Sequence, residues 1–320
     1  MPDLSPISLS DLLAARARIG GTAIRTPLIR LNADDAPGEV YLKLENLQPI
    51  GSFKIRGAAS AMLGAPPETL AQGVWTASAG NMAQGVAFCA RQFGVPCVVV
   101  VPDHAPEIKL AAIRRLGGTI VKIPFADWFD IILTSRFEGM KGVFVHPVSD
   151  PAVMAGNGVI GLEILEDLPD VETILIPYGG GGLSCGIASA IRAKKPGVKV
   201  YACEADTAAP LDAAYRAGGP VRITYTPSFI DGIGGPTVLP QMWALARQLL
   251  DGTHVMTVPA IAEAVRLLAE RNRLIAEGAG AAPVAVALSG VVGEGKTVCV
   301  VSGGNIDLTK VAKILKGETP

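Results

Sequence analysis

Short, unbroken runs of apolar and mostly β-branched residues recur along this chain, and they constrain its fold more than any other feature. Parallel strands have this composition when helices bury both faces of the sheet. The intervals between the runs are long enough for the crossover helices that parallel strands require. The sequence therefore predicts an α/β protein, with strands at 41–46, 73–78, 96–102, 118–123, 173–178, 198–205 and 296–304.

Helical patterns fill several of these intervals, which supports the α/β interpretation. They predict helices at 81–94, 106–118, 183–197 and 260–272, and the first three of these ranges end at glycine. The segments 62–73 and 124–150 change in composition, so we expect the chain to cross there between two lobes. A ligand is then expected between the lobes, at the carboxyl ends of the strands.

Composition excludes several classes of protein. Hydrophobic residues make up 49% of the chain and charged residues 18%, which excludes disorder. The net charge of −1 gives no positive field, so we expect neither nucleic acid nor a membrane as partner. The N-terminal segment has no signal-peptide pattern, and the five dispersed cysteines lack a CxxC pair. We therefore expect a cytoplasmic protein with buried thiols.

Four consecutive glycines between a predicted strand and a predicted helix give the strongest local signal. Gly179, Gly180, Gly181 and Gly182 leave their amide groups unobstructed, and the following helix adds its N-terminal partial positive charge. The loop favours phosphate binding over a plain tight turn. It fits neither a Walker loop nor the GxGxxG pattern of nicotinamide cofactors.

Lys54 lies between Phe53 and Ile55 at the predicted start of a helix, with Arg56 close by. An apolar setting and a nearby cation lower the pKa of a lysine, as Schiff-base chemistry requires. Alternatively, Lys54 extends its ammonium group to water. A phosphate loop elsewhere in the chain makes the Schiff-base interpretation the better one.

Two further strand ends carry small polar residues. The segment 78–82 precedes a helix and could bind a carboxylate through its amides, or Ser78 or Asn81 could simply cap that helix. Ser302 ends a strand before a Gly-Gly turn, and by itself it indicates only the turn. The three histidines lack metal-ligand spacing, so we predict no metal site.

Together these motifs resemble the threonine/serine dehydratase family of fold-type II enzymes, which depend on pyridoxal 5′-phosphate. The resemblance runs from about residue 20 to the C-terminus and rests on SFKIRGA, ASAGNMAQGVAF, GGGGLSCGIA and VSGGN in this order. It implies a two-lobed fold like that of tryptophan synthase β, with a large cofactor-binding domain at 1–70 and 150–320 and a small domain at 71–149. We expect the catabolic form without a regulatory domain, and a homodimer or higher homo-oligomer.

The resemblance also implies a role for each residue of the motifs. Lys54 would bind the cofactor covalently and act as the catalytic base, and Asn81 and Ser302 would contact its ring. The other implied contacts are Phe53 beside the ring, Gly179, Gly180, Gly181, Gly182 and Leu183 at the phosphate, Ser78, Ala79, Gly80, Asn81 and Met82 at the substrate carboxylate, and Glu277 near the ring.

The activity implied is the loss of water from a β-hydroxy amino acid such as L-threonine or L-serine, giving a 2-oxo acid and ammonia. Ala79 stands where related racemases carry a serine, so racemisation is not expected. Met82 stands where the dehydratases commonly carry a histidine, so the substrate could instead be a bulkier β-hydroxy amino acid such as phenylserine or threo-3-hydroxyaspartate. Pro210 stands where metal-dependent relatives carry an acidic residue, so a divalent-cation site built from Glu204 and the Ala208 carbonyl would lack one ligand. A β-replacement synthase and a phosphate-ligand binding module remain the alternatives.

Overall fold

Two β-sheets and the helices that pack on them form the part of the chain, residues 4–320, that the computed structural model describes. The strands are β1 Leu28–Arg30, β2 Val40–Lys43, β3 Val74–Ala77, β4 Cys97–Pro102, β5 Thr119–Ile123, β6 Val143–Phe144, β7 Thr173–Pro177, β8 Lys199–Ala205, β9 Gly252–Met256 and β10 Thr297–Val300. The helices are α1 Leu9–Ile19, α2 Lys54–Gly64, α3 Pro67–Leu70, α4 Asn81–Phe93, α5 Glu107–Arg115, α6 Phe125–Thr134, α7 Pro151–Asp167, α8 Gly182–Lys194, α9 Pro210–Ala217, α10 Pro240–Leu249, α11 Val258–Asn272, α12 Gly278–Leu288 and α13 Leu308–Leu315.

The larger sheet has the strand order β1-β2-β10-β7-β8-β9, and the smaller has the order β5-β4-β3-β6. All pairings are parallel except that of β1 with β2, which is antiparallel. The predicted α/β fold with parallel sheets is confirmed. Each predicted strand is present with shifted ends, whereas β1, β6 and β9 were not predicted.

The smaller sheet is built from a continuous part of the chain, between 74 and 144. We call this sheet, with α4, α5 and α6, the small lobe, and the larger sheet with the helices packed on it the large lobe. The domain limits at residues 70 and 150 stay a prediction.

Close packing of three helices positions the loops that carry the sequence motifs. On α7, a Cβ added at Gly158 would lie 2.6 Å from the carbonyl oxygen of Gly186 on α8, and one at Gly156 would clash with the backbone of Arg56 on α2. The backbones of α2, α7 and α8 therefore approach closely, which brings the N-termini of α2 and α8 together. No helix among residues 4–320 is long and apolar enough to cross a membrane.

Candidate active site

A cavity of about 480 Å³ lies at the carboxyl ends of β3, β7 and β10, and both lobes contribute to its wall. The structure brings every predicted site residue to this cavity, although their roles stay predictions. The predicted residues in its wall are Phe53, Lys54, Ser78, Ala79, Gly80, Asn81, Met82, Gly179, Gly180, Gly181, Gly182, Leu183, Glu277 and Ser302.

The glycine loop between β7 and α8 is fitted closely against the loop that precedes α7. Gly181 has a φ of 95°, which disfavours other residues. A Cβ at Gly180 would lie 2.5 Å from the Val148 side chain, and one at Gly182 would lie 2.6 Å from the Val148 carbonyl oxygen. Since α8 begins at Gly182, its first amides have no carbonyl partner within the helix. Free amides at a helix N-terminus are suited to an anion.

Lys54 is the first residue of α2, as predicted. Its Nζ donates a hydrogen bond to the carbonyl oxygen of Pro147 at 2.9 Å and lies 5.1 Å from the centre of the Phe53 ring. Burial lowers the pKa of Lys54 to about 8, and the nearby Glu277 carboxylate opposes this shift. A neutral amine, ready to act as a nucleophile, is therefore accessible near neutral pH.

The loop 146–149 was not predicted to be part of the site, although it lies within the segment 124–150 where we expect the chain to cross between lobes. His146 is buried, and its Nδ1 accepts hydrogen bonds from the amides of Val148 and Ser149 at 3.0 and 2.9 Å. Burial also lowers the pKa of His146, which favours the neutral ring that these bonds require. This histidine thus shapes the loop that contacts both Lys54 and the glycines.

Asn81 belongs to a chain of polar side chains that joins the two lobes. Its Nδ2 donates to Glu277 Oε1 at 2.9 Å, and its Oδ1 accepts from Asn305 Nδ2 at 2.8 Å. Asn305 also donates to the carbonyl oxygen of Ile50 at 2.8 Å. The role of Asn305 was not predicted, although it ends the VSGGN motif. Burial raises the pKa of Glu277 to about 7.

The segment 78–82 turns into α4 without a capping side chain. Gly80 is the N-cap residue, and Ser78 Oγ accepts a hydrogen bond from its amide at 3.2 Å. The alternative that Ser78 or Asn81 caps the helix is therefore wrong. Met82 is buried at the first turn. The amides at the start of this helix are suited to a carboxylate.

Ser302 is held beside the lysine segment. The amide of Phe53 donates to the carbonyl oxygen of Ser302 at 3.0 Å, and Ser52 pairs with Gly303 in an isolated bridge. A Cβ at Gly303 would lie 2.6 Å from Glu277 Oε1. The SFKIRGA and VSGGN motifs therefore meet through backbone contacts and close one wall of the cavity.

Glu204 does not face the cavity. Its carboxylate accepts hydrogen bonds from the amides of Leu211 and Asp212 at 2.9 and 2.8 Å, where α9 begins. Among residues 4–320, no three or more histidine, cysteine, aspartate or glutamate side chains are grouped to hold a metal ion. The prediction of buried thiols is confirmed, because all five cysteines are buried and free.

The cavity fits pyridoxal phosphate, which carries an aldehyde and a phosphate. Lys54 offers an amine for the aldehyde, and the amides of the glycine loop and of Leu183 offer donors for the phosphate. A side chain at position 180 or 182 would clash with the adjacent Val148. The loop thus keeps its amides bare at the cavity wall.

Comparisons with known proteins agree with this fit. The family described as "Pyridoxal-phosphate dependent enzyme" matches residues 19–304. An L-threonine ammonia-lyase of Thermotoga maritima is 39% identical, over 97% of this chain and 78% of the relative. The catabolic L-threonine dehydratase of Escherichia coli is 36% identical, over 97% of this chain and 96% of the relative.

Solved structures point to the same fold. Maize serine racemase superposes with a TM-score of 0.87 at 28% identity, covering 98% of each chain. Fold, cofactor type and sequence relatives therefore agree, and they make this protein a lyase rather than a module that only binds phosphate. The chain belongs to the pyridoxal-phosphate-dependent enzyme family, in the group that contains the threonine dehydratases.

Proposed function

We propose that this enzyme removes water from a β-hydroxy amino acid, with L-threonine among its substrates, and releases a 2-oxo acid and ammonia. The observation that carries the proposal is the position of Lys54, which lines one cavity together with the glycine loop and the start of α4. The threonine ammonia-lyase and dehydratase relatives support it.

The cofactor, when bound, supplies the electron sink for the negative charge that develops at the substrate Cα. We assign its covalent attachment to Lys54 and its phosphate to the amides of residues 179–183. Phe53, Asn81 and Ser302 are assigned to its ring. Ser302 offers the ring nitrogen a hydroxyl and not a carboxylate, so this chain places no negative charge there.

The Nζ of Lys54 is also the base that takes the Cα proton. Its pKa of about 8 lies near neutral pH, which suits a group that must both accept and return a proton. The Pro147 carbonyl holds Nζ by a single hydrogen bond of 2.9 Å, so the amine can leave this partner without breaking an ion pair.

The substrate carboxylate is assigned to the amides of Ser78, Ala79, Gly80, Asn81 and Met82, where the N-terminus of α4 favours negative charge. Position 79 carries only a methyl group. No hydroxyl from this position can therefore exchange a proton with the face opposite Lys54, which favours elimination over racemisation.

We further propose a homo-oligomer in the cytoplasm. Closed homo-oligomers are the commonest assemblies of soluble enzymes. The five free, buried cysteines suit a reducing compartment. Apart from other copies of the chain, the expected binding partner is the small amino-acid substrate.

The direct test is product formation by the cofactor-loaded protein. We expect L-threonine to yield ammonia and 2-oxobutanoate in equal amounts, and the protein freed of cofactor to yield neither. Sulfide consumption with an O-activated serine, without ammonia release from threonine or serine, would instead identify a β-replacement synthase.

A further inference from the structure

Part of the cavity wall is left over when the groups assigned to the cofactor and to the substrate carboxylate are set aside. This remainder lies at the mouth of the cavity, and most of it is apolar or aromatic. Its apolar and aromatic members from the small lobe and from the loop that faces it are Pro102, Ala105, Pro106, Phe125, Trp128 and Tyr225.

Three aromatic rings, those of Phe125, Trp128 and His104, lie next to one another at this mouth. Phe125 begins α6, with its ring centre 5.7 Å from those of Trp128 and His104. It is 52% exposed, and Tyr225 on the large lobe is 42% exposed. Adjacent exposed rings are an unusual feature of a protein surface and commonly mark a binding site.

The polar atom of Trp128 is already satisfied. Its Nε1 donates a hydrogen bond to the carbonyl oxygen of Val100 at 3.2 Å. This bond fixes the indole on the small lobe, so the ring presents a preformed apolar surface to the cavity. A rigid aromatic surface binds another ring at little cost in side-chain entropy.

Lys109 and the imidazole of His104, both at the mouth, already have acidic partners. Lys109 Nζ lies 2.8 Å from Asp231 Oδ2, and His104 Nδ1 lies 3.1 Å from Asp103 Oδ1. Among the described residues of this wall, no cation is left to neutralise a carboxylate on the substrate side chain. A second negative charge, as in hydroxyaspartate, would therefore enter uncompensated.

We propose that Phe125, Trp128 and Tyr225 form a subsite for an aromatic substituent on the substrate Cβ, which makes β-hydroxy amino acids of the phenylserine class better substrates than threonine. This inference rests on the proposed dehydratase function and specifies its substrate. Met82, buried at the start of α4, keeps the adjoining wall apolar.

The test compares kcat/KM of the cofactor-loaded enzyme for L-threo-phenylserine, L-threonine and threo-3-hydroxyaspartate. We expect phenylserine to exceed threonine by about tenfold or more, a factor typical of a filled apolar pocket. Phe125→Ala should lower the ratio of kcat/KM for phenylserine to kcat/KM for threonine by about tenfold. Tyr225→Ala should also lower this ratio, because Tyr225 contributes to the same subsite from the other side of the cavity. Leu133→Ala is the matched control, because Leu133 is on α6 and 45% exposed but does not line the cavity.

Binding supplies a readout that does not depend on turnover. L-Phenylalanine and L-alanine lack the β-hydroxyl, so their dissociation constants can be measured by calorimetry without elimination. We expect L-phenylalanine to bind more tightly than L-alanine, and Phe125→Ala to remove most of this difference while Leu133→Ala keeps it.

The outcomes separate the two proposals. No elimination from any of the three substrates would overturn the dehydratase function itself. Elimination from threonine at least as efficient as from phenylserine, with a ratio that Phe125→Ala leaves unchanged, would overturn the aromatic subsite alone. A preference for hydroxyaspartate would also overturn it, since that result requires a free cation at the mouth.

Discussion

Two groups of buried charges lie on opposite sides of α2, and they are partnered very differently. The first comprises Lys43, Glu45, Arg56 and Glu163, all at most 4% exposed, and we call it the ion-pair cluster. Lys43 lies 2.6 Å from Glu163, and Arg56 lies 2.8 Å from Glu45 and 2.7 Å from Glu163. Every charge in this cluster therefore has an opposite charge in contact.

The second group, Lys54 and Glu277, lies at the cavity without such compensation. Among residues 4–320, no carboxylate is close enough to form an ion pair with Lys54, whose hydrogen-bond partner is a backbone carbonyl. Burial lowers the pKa of Lys54 to about 8 and raises that of Glu277 to about 7. Both groups can therefore change protonation state near neutral pH.

The comparison shows how one helix serves stability and chemistry at once. Arg56 follows Lys54 by two residues on α2, and the ion-pair cluster fixes the helix to β2 and α7. Because this anchor is independent of Lys54, the lysine can stay unpaired without losing its position. Burial with a partner preserves a charge, whereas burial without one makes the proton available.

Exchange of each buried lysine for methionine is the strongest way to test this contrast. Lys54→Met should lower kcat for threonine by roughly 10³-fold or more, because it removes the proposed base and the point of cofactor attachment. Its stability without cofactor should not fall, since no ion pair is broken. Lys43→Met, the matched control, should instead lower the free energy of unfolding.

Ammonia release and urea unfolding of both variants distinguish the two roles. Residual ammonia release by Lys54→Met close to that of the wild type would contradict the assignment of Lys54. A loss of stability in Lys54→Met as large as that in Lys43→Met would contradict the contrast between the two groups.

The cost of breaking the ion-pair cluster is the next largest effect. Arg56→Met leaves Glu45 buried without an ion-pair partner and leaves Glu163 with Lys43 alone, and it should lower the free energy of unfolding by about 3–5 kcal/mol. Arg16 and Glu166 form a matched pair at the surface, where the side chains are 39% and 41% exposed. Arg16→Met should cost less than about 1 kcal/mol. Equal losses in urea unfolding would show that burial does not set the value of these pairs.

The sequence predicted the parts of the site that are local. A strand, a turn of small residues and a helix follow one another at 173–194 and at 74–93, so the glycine loop and the start of α4 could be recognised from order and spacing. Lys54 at a helix N-terminus was predicted in the same way. Short strands such as β6, with two residues, have too little pattern to be recognised.

The parts that depend on distant contacts could not be predicted. Pro147 is 93 residues from Lys54, and Asn305 is 224 residues from Asn81, yet each pair is joined by a hydrogen bond. The ion-pair cluster likewise draws on β2, α2 and α7. Partners of this kind leave no periodicity or spacing in the sequence, because the fold alone brings them together.

Glu277→Gln tests the uncompensated carboxyl through the pH dependence of stability. The pKa of Glu277 is about 7 in the folded protein, well above the ordinary value of about 4.3, so between these values the folded state holds a proton that the unfolded state has released. This contribution stabilises the wild type at pH 5 and is lost as the pH rises through 7. The stability of Glu277→Gln relative to wild type should therefore increase between pH 5 and 8, by on the order of 1–3 kcal/mol, in urea unfolding of the cofactor-free proteins.

Glu204→Gln is the control that separates burial from function. Burial also raises the pKa of Glu204 to about 7, but this carboxylate caps α9 and does not line the cavity. We expect the stability of both variants, relative to wild type, to follow the same pH trend, because burial favours the uncharged form of both carboxyls in the folded protein. Only Glu277→Gln should change the pH profile of kcat between 6 and 8, since only Glu277 acts on Lys54 and Asn81. Identical profiles for the two variants would show that Glu277 is a structural carboxyl like Glu204.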